Sequence, residues 1–472
     1  MRPRRTPLLV TLLTAALAFA APGAAAAPGR PGQIDFGDRL RTIDGFGFAQ
    51  PFQRAAAVNG LFGLTPQNQR EVVDLLLSRE RGAGLSIMRL GIGSSPDDPY
   101  DLMKSIQPTD PGGPAAPPRY EWDGYDGGQV WLARQARAYG VERFYADAWS
   151  APGYMKTNGS DSNGGQLCGV PGTSCASGDW RRAYADYLAQ YVRFYAGEGI
   201  PITDLGFTNE PDLTVSYASM RFDGAQIVDF VNVLGPTLAR SGLPTRIACC
   251  DGAGWTQQQE LTAAIEADRT ARRWVDVHTG HPYLNPADRP LPTGRPVWMS
   301  EWQPNGTTWN ESWDDGSGWA GITVAESIHD TLTRADVSAY VYWFGASLGA
   351  TRAFIQLDGA QYHVSKRLWA MAAYSRFIRP GAARVQALTP DPAVKATAFR
   401  NTDGTSIIEL LNTATTPVRT TFTTRSDPGG RPATYLTSES HSLTRTDAAT
   451  RHGSQLTVDL PPRSQTTIVL NR

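Results

Sequence analysis

Short apolar runs alternate with longer stretches of helical period through most of the chain. Eight such runs, at 43–48, 85–92, 143–150, 202–210, 245–251, 275–283, 296–302 and 339–345, have the length of buried strands. Between them, segments 66–82, 127–139, 179–198, 223–241, 256–269, 318–335 and 366–378 repeat apolar residues every three or four positions. In 179–198, Tyr184, Tyr187, Leu188, Tyr191 and Phe194 fall on one helix face. Eight strand–helix units predict an α/β fold, a (β/α)8 TIM barrel over 43–378. The alternative, a doubly wound open sheet, lacks the Gly-rich phosphate loop expected after its first strand. Beyond 378 the period drops to two. Runs 394–399, 406–411, 419–423 and 466–470 alternate Thr, Ser and Val with apolar residues, and Asp427-Pro428-Gly429-Gly430 and Pro461-Pro462 punctuate them. Residues 379–472 therefore predict an appended all-β sandwich, and 28–42 an N-terminal strand that joins it.

Charge and composition narrow the class. Lys plus Arg (44) against Asp plus Glu (45) leaves a net charge of -1, so no basic excess is present to hold nucleic acid. Only 19% of residues are charged, while Gly (47), Pro (34) and Trp (13) are plentiful, which fits a loop-rich secreted globule better than a disordered chain. Residues 1–27 read as a secretory signal peptide, with Arg2, Arg4 and Arg5 followed by an apolar stretch and overlapping A-x-A sites. No later segment has the apolar length of a membrane span, so the mature form is expected to be extracellular, free of the membrane and monomeric. Cys168 and Cys175, in the loop C-GVPGTS-C, are expected to form a local disulfide. Cys249 and Cys250 read as buried thiols or as a vicinal pair. The six histidines include no H-E-x-x-H, and no Cys/His spacing resembles a zinc site, so neither metal nor cofactor is implied. A G-x-S-x-G elbow is also missing from the strand ends, which removes an esterase or lipase.

In a barrel the reactive groups gather where strands end and βα loops begin. Run four ends Gly206-Phe207-Thr208-Asn209-Glu210-Pro211, and run seven ends Trp298-Met299-Ser300-Glu301-Trp302. Each glutamate alone reads equally as a surface carboxylate. Together, facing across one mouth, Glu210 and Glu301 are the pair that glycoside cleavage needs: one protonates the leaving oxygen, the other attacks the anomeric carbon or activates water. Pro211 ends strand pairing and turns the chain outward just after Glu210. Trp149, Tyr154, Trp302 and Trp343 are candidate sugar platforms, and Trp122, Trp309 and Trp313 candidate extensions of the cleft. A non-catalytic carbohydrate-binding protein on a degenerate barrel is the competing reading. It predicts full function without either carboxylate.

The ordered motifs resemble glycoside hydrolase family 30. They are Asp44-Gly45-Phe46-Gly47 on run one, Trp149-Ser150-Ala151-Pro152 with Met155-Lys156-Thr157-Asn158-Gly159 after run three, Thr208-Asn209-Glu210-Pro211, His278-Thr279-Gly280-His281-Pro282-Tyr283 and Ser300-Glu301-Trp302. The resemblance implies a retaining glycosidase with Glu210 as acid/base and Glu301 as nucleophile. It further implies that Asn209 binds the sugar 2-hydroxyl and that Tyr283 and Arg89 hold Glu301 ionised. Glu210, which must keep its proton, is expected in the drier or more negative surroundings. The continuation Gly47-Phe48-Ala49-Gln50-Pro51-Phe52-Gln53-Arg54 resembles the branch with glucuronoxylanases and endo-β-1,6-galactanases. That likeness implies glucuronoxylan as substrate, with β-1,6-galactan as the alternative, and Arg54 as the partner of a glucuronate carboxylate. Arg352, after run eight, is a second candidate for that task.

Overall fold

The computed structural model describes residues 31–426 and 429–471. The leader read over 1–27, the first residues of the 28–42 segment, the Asp427-Pro428 half of one turn and Arg472 lie outside the described residues.

All eight apolar runs become parallel strands that close into a barrel: Gly45–Ala49, Ile87–Ile92, Arg143–Ala148, Asp204–Leu205, Arg246–Gly252, Val275–Gly280, Val297–Met299 and Ala339–Tyr342. The first strand pairs with the eighth from Gly45↔Ala339 to Phe48↔Tyr342, which completes the ring. Around it run helices Pro66–Leu77, Gln129–Ala138, Arg181–Gly197, Gly224–Ser241, Trp255–Ala267, Gly321–Arg334 and Lys366–Ser375. Their ends follow local chemistry. Thr65 caps the Asn68 amide ahead of Pro66, and Asp223 with Gln226 forms a capping box.

The sequence pattern holds eight strands but only seven helical segments, and the gap falls where the structure has no helix. The sixth strand reaches the seventh without a helix, because Pro282, Pro286, Pro290, Pro292 and Pro296 cannot donate the amide hydrogen bonds a helix requires. The helix over Arg181–Gly197 also turns slightly from the face read in the sequence: Tyr195, not Phe194, is fully buried beside Tyr184, Tyr187, Leu188 and Tyr191. After the eighth strand a three-stranded sheet, Ala346–Leu348, Ile355–Asp358 and Gln361–Val364, precedes the last helix; the sequence pattern did not show it.

The C-terminal region is a ten-stranded sheet that doubles over on itself. Strand Gly32–Thr42 enters at its middle, antiparallel to Ala383–Leu388 and parallel to Val418–Arg425. Period two divides some of its strands between two cores. In Ser406–Asn412, Ile408 and Leu410 face the sandwich interior, whereas Ile407 and Leu411 face the barrel helices. Trp313 ties the two regions together: its amide donates to Glu439 (2.9 Å) and its indole N–H to the Arg463 carbonyl (2.6 Å). Trp313 is thus a seam residue and not an extension of the cleft.

Candidate active site

The pleat of the barrel strands builds the site. Ile87, Tyr145, Val277 and Trp298 belong to an apolar cluster inside the barrel. Two positions further along, the same inward-pointing phase carries Arg89, Asp147, Thr279 and Ser300. A polar, charged layer therefore sits on an apolar plug. Gly206 makes room for it, since a side chain there would collide with the Asp147 carboxylate and the Tyr145 hydroxyl.

Arg89, fully buried, is the hub. Its Nη1 pairs with Glu301, and its Nη2 donates to Asp147 (2.7 Å), Asn209 Oδ1 (2.6 Å) and Asp251 (2.8 Å). The Tyr283 hydroxyl donates to the other Glu301 oxygen at 3.0 Å. His281 lies between the two halves of the site, with Nδ1 3.2 Å from Glu210 and Nε2 3.6 Å from Asp251. Glu210 adopts a left-handed φ of 49°, and its amide donates to the Asp251 carbonyl at 2.8 Å. Pro211 disfavours the right-handed helical region for that residue, so the motif itself steers the turn. Glu210, His281 and Glu301 each bring one donor atom within 4.8 Å of the others.

Electrostatics divides these groups. Burial opposes the charge on His281, but Glu301 and the hydrogen bonds to Asp251 and Glu210 outweigh it and push the imidazole up to about 10. Burial, then the charge of Asp251, pushes the Asp147 carboxyl well above its usual range. Asp251 moves the other way: burial is overcome by Arg89 and by His281. Burial and mutual repulsion thus favour the neutral form of Asp147, while the cations favour the charged form of Asp251. Burial raises Glu301, while His281 and Arg89 pull against that rise. Two cations, Arg89 and His281, then face the anions Asp251 and Glu301. With Glu301 already bound by Arg89 and Tyr283, and His281 protonated, this donor set suits proton transfer better than metal ligation.

The carboxylates open onto a cavity of about 630 Å³. Phe52, Trp149, Tyr217 and Trp343 supply its aromatic walls, and Arg54 and Arg352 line it as cations. Phe52 packs edge-on against Trp149 at 5.2 Å and against Trp343 at 6.2 Å, so the rings form one connected surface.

A family model for "O-Glycosyl hydrolase family 30" matches residues 32–273, and one for the "Glycosyl hydrolase family 30 beta sandwich domain" matches 381–468. The chain belongs to glycoside hydrolase family 30. Among solved structures, the catalytic domain of the family 30 xylanase C from Talaromyces cellulolyticus superposes with a TM-score of 0.86 at 36% identity, over 93% of this chain and all (100%) of that one. A glucuronoxylanase of Bacillus subtilis is 27% identical over 301 residues; the match spans 61% of this chain and 66% of that enzyme, just under two thirds. An endo-1,6-β-D-glucanase of Aspergillus fumigatus is 25% identical over 422 residues, 82% of this chain and 81% of that protein.

Most residues singled out from the sequence meet at the mouth of this family 30 barrel: Glu210, Glu301, Arg89, Asn209, Tyr283, Trp149, Trp343, Arg54 and Arg352. Two do not. Tyr154 turns away, packing against Trp180 at 5.3 Å and donating its hydroxyl to the Gln107 carbonyl (2.8 Å). Trp302, although it directly follows Glu301, packs partly buried against the main core and does not line the cavity. Trp122 stacks on Phe194 (5.0 Å), and Trp309 bonds Glu311 (2.8 Å), so neither extends the cleft. Enclosure does not separate the two glutamates in the expected way: Glu301 is 5% exposed and Glu210 7%. Their partners separate them instead. Cys168–Cys175 is a disulfide, and Cys249–Cys250 is a vicinal disulfide behind the fifth strand's end.

Sequence reading missed Asp147, Asp251, His281, Phe52 and Tyr217. The alternation that put Arg89 inward marks Asp147 equally, two residues after the inward Tyr145. Asp251 had no such signal, since the strand register shifts between Cys250 and Gly252.

Proposed function

We propose that the protein is a secreted, retaining endo-β-glycosidase of plant cell-wall polysaccharide, with glucuronoxylan as its substrate. The observation that carries the mechanism is the approach of Glu210 and Glu301, with oxygens no more than 4.8 Å apart. Retaining sites hold their carboxyl groups roughly 5–5.5 Å apart, and inverting sites need about 6.5–9.5 Å to admit a water. Glu301 attacks the anomeric carbon as the glycosidic bond breaks, and Glu210 gives its proton to the departing oxygen. Water then attacks the glycosyl ester, Glu210 takes the water's proton, and Glu301 leaves as carboxylate. Arg89 and Tyr283 hold Glu301 in its attacking orientation. Asn209, with Oδ1 fixed by Arg89, is left to present its amide N–H to the sugar 2-hydroxyl.

The substrate reading rests on Arg54 in the pocket wall, a guanidinium suited to a uronate carboxylate. The likeness to a xylanase and to a glucuronoxylanase supports it. The second reading is a β-1,6-linked glycan, galactan or glucan; the relative acting on 1,6-β-D-glucan supports the latter. Product analysis on glucuronoxylan, unsubstituted xylan, β-1,6-galactan and β-1,6-glucan tests both, with Arg54→Ala in parallel. Cleavage of glucuronoxylan with retained anomeric configuration, lost in Arg54→Ala, is the expected result. Cleavage of a β-1,6-glycan alone would keep the mechanism and overturn the substrate.

A further inference from the structure

Arg54 is already engaged by the protein's own groups. Its guanidinium lies 4.9 Å from the Tyr100 ring centroid and 4.8 Å from that of Phe344, which fixes its plane. Nη1 donates to the Phe52 carbonyl (2.8 Å) and forms an ion pair with Asp101. Nε is buried and without a hydrogen-bond partner among the described residues. Asp101 differs from its partner in every respect. Its side chain is 60% exposed against 13% for Arg54, and it sits in the loop after the second barrel strand at a left-handed φ of 75°. Aspartate tolerates that conformation better than most residues other than glycine. The loop just before it is anchored: Gln53 Nε2 donates to the Asp98 carbonyl (2.7 Å), the Asp98 carboxylate (2.9 Å) and the Pro99 carbonyl (2.8 Å). Asp101 and Leu102 then project into the pocket wall.

A fixed, mostly buried guanidinium thus faces an exposed carboxylate of the chain's own. We propose that Asp101 is an internal stand-in for the substrate's carboxylate: it occupies Arg54 while the subsite is empty and is displaced by a uronate carried on the glycan. This inference rests on the glucuronoxylan reading. An incoming carboxylate must compete with Asp101 for Nη1 or bind beside it against like charge, so Asp101 lowers affinity for anions in general. A free acid gains only the guanidinium; a uronate branch gains it together with the sugar contacts of the attached chain. Asp101 in this way weakens both by a similar factor, and only the decorated chain has further contacts to hold it in place.

The test compares kcat/KM on a xylo-oligosaccharide carrying one glucuronosyl branch with kcat/KM on the unbranched oligosaccharide, for wild type, Asp101→Asn, Asp101→Ala and Arg54→Ala. The branched-to-unbranched ratio should rise roughly fivefold in both Asp101 variants, the scale of a partly exposed ion pair, chiefly through KM. Free glucuronate should inhibit both variants at roughly fivefold lower concentration. A ratio unchanged or lowered in Asp101→Asn would overturn the proposal and make Asp101 a support that orients Arg54. A rise in Asp101→Ala alone would assign the effect to side-chain bulk and overturn it too. A wild-type ratio matched by Arg54→Ala would sink the substrate reading first, and the Asp101 role with it.

Discussion

Two glutamates are enclosed to nearly the same degree, Glu301 at the barrel mouth and Glu409 at the seam between barrel and sandwich, 5% and 2% exposed. Their surroundings differ in one respect, the presence of a cation. Glu301 touches Arg89 and Tyr283, with His281 nearby. Glu409 meets only neutral donors, the Thr467 hydroxyl (3.1 Å) and the Gln465 amide (3.3 Å), and its Oε1 has no partner among the described residues. Burial pushes Glu409 well above the carboxylate range, and those two hydrogen bonds do little to offset it. Both glutamates are thus raised by burial, but only at the mouth do charges resist the rise. A buried carboxylate stays available as a nucleophile only where the fold supplies a guanidinium; otherwise it becomes a neutral acid that merely fills space.

Removing each partner tests that contrast. Glu301→Gln should lower turnover by roughly ten-thousandfold or more, whereas Glu409→Gln should leave the same assay near wild type. Comparable losses in the two would break the comparison. Next in size is Arg89→Met, which leaves Asp251 and Glu301 buried without their cation. Chemical denaturation should report a loss of about 3–5 kcal/mol, the cost of breaking a buried pair, together with reduced activity. Wild-type stability in that variant would mean the guanidinium is not what holds the mouth together.

The smallest effect belongs to Glu409, and its sign is fixed by the direction of the shift. A carboxyl raised on folding is protonated in both states below its unfolded value of about 4.3, and there contributes no pH dependence. Above that value the unfolded chain ionises first, so wild-type stability falls as pH rises towards the folded value. Glu409→Gln removes that slope. Thermal melts should show variant and wild type closest near pH 4.3, with the variant gaining stability over wild type steadily as pH rises to 8. A gap that narrows as pH rises would show that Glu409 is charged in the folded protein, and the contrast with Glu301 would be lost.

Much of this was legible without coordinates. The change from a 3.6-residue to a two-residue period separates barrel from sandwich, because backbone geometry dictates those periods wherever one face is buried. Five prolines from residue 282 to 296 account for the gap between the fifth and sixth of the seven helical segments. Glu210 and Glu301 stand at strand ends, where a barrel must open. Tyr154 and Trp302 were misread because composition and position do not say which way a side chain turns.

Local pattern thus determined where the strands lie, where they end and which carboxylates stand there. Only the closed barrel decided that Arg89 would meet Asp147, Asn209, Asp251 and Glu301, residues from five different strands or strand ends. Whether a carboxyl ionises depends on charges a few ångströms away in space, and those charges lie up to 212 positions away in the chain. Period and propensity are properties of neighbours along the backbone; electrostatic partnership is a property of closure, and only the tertiary structure could supply it.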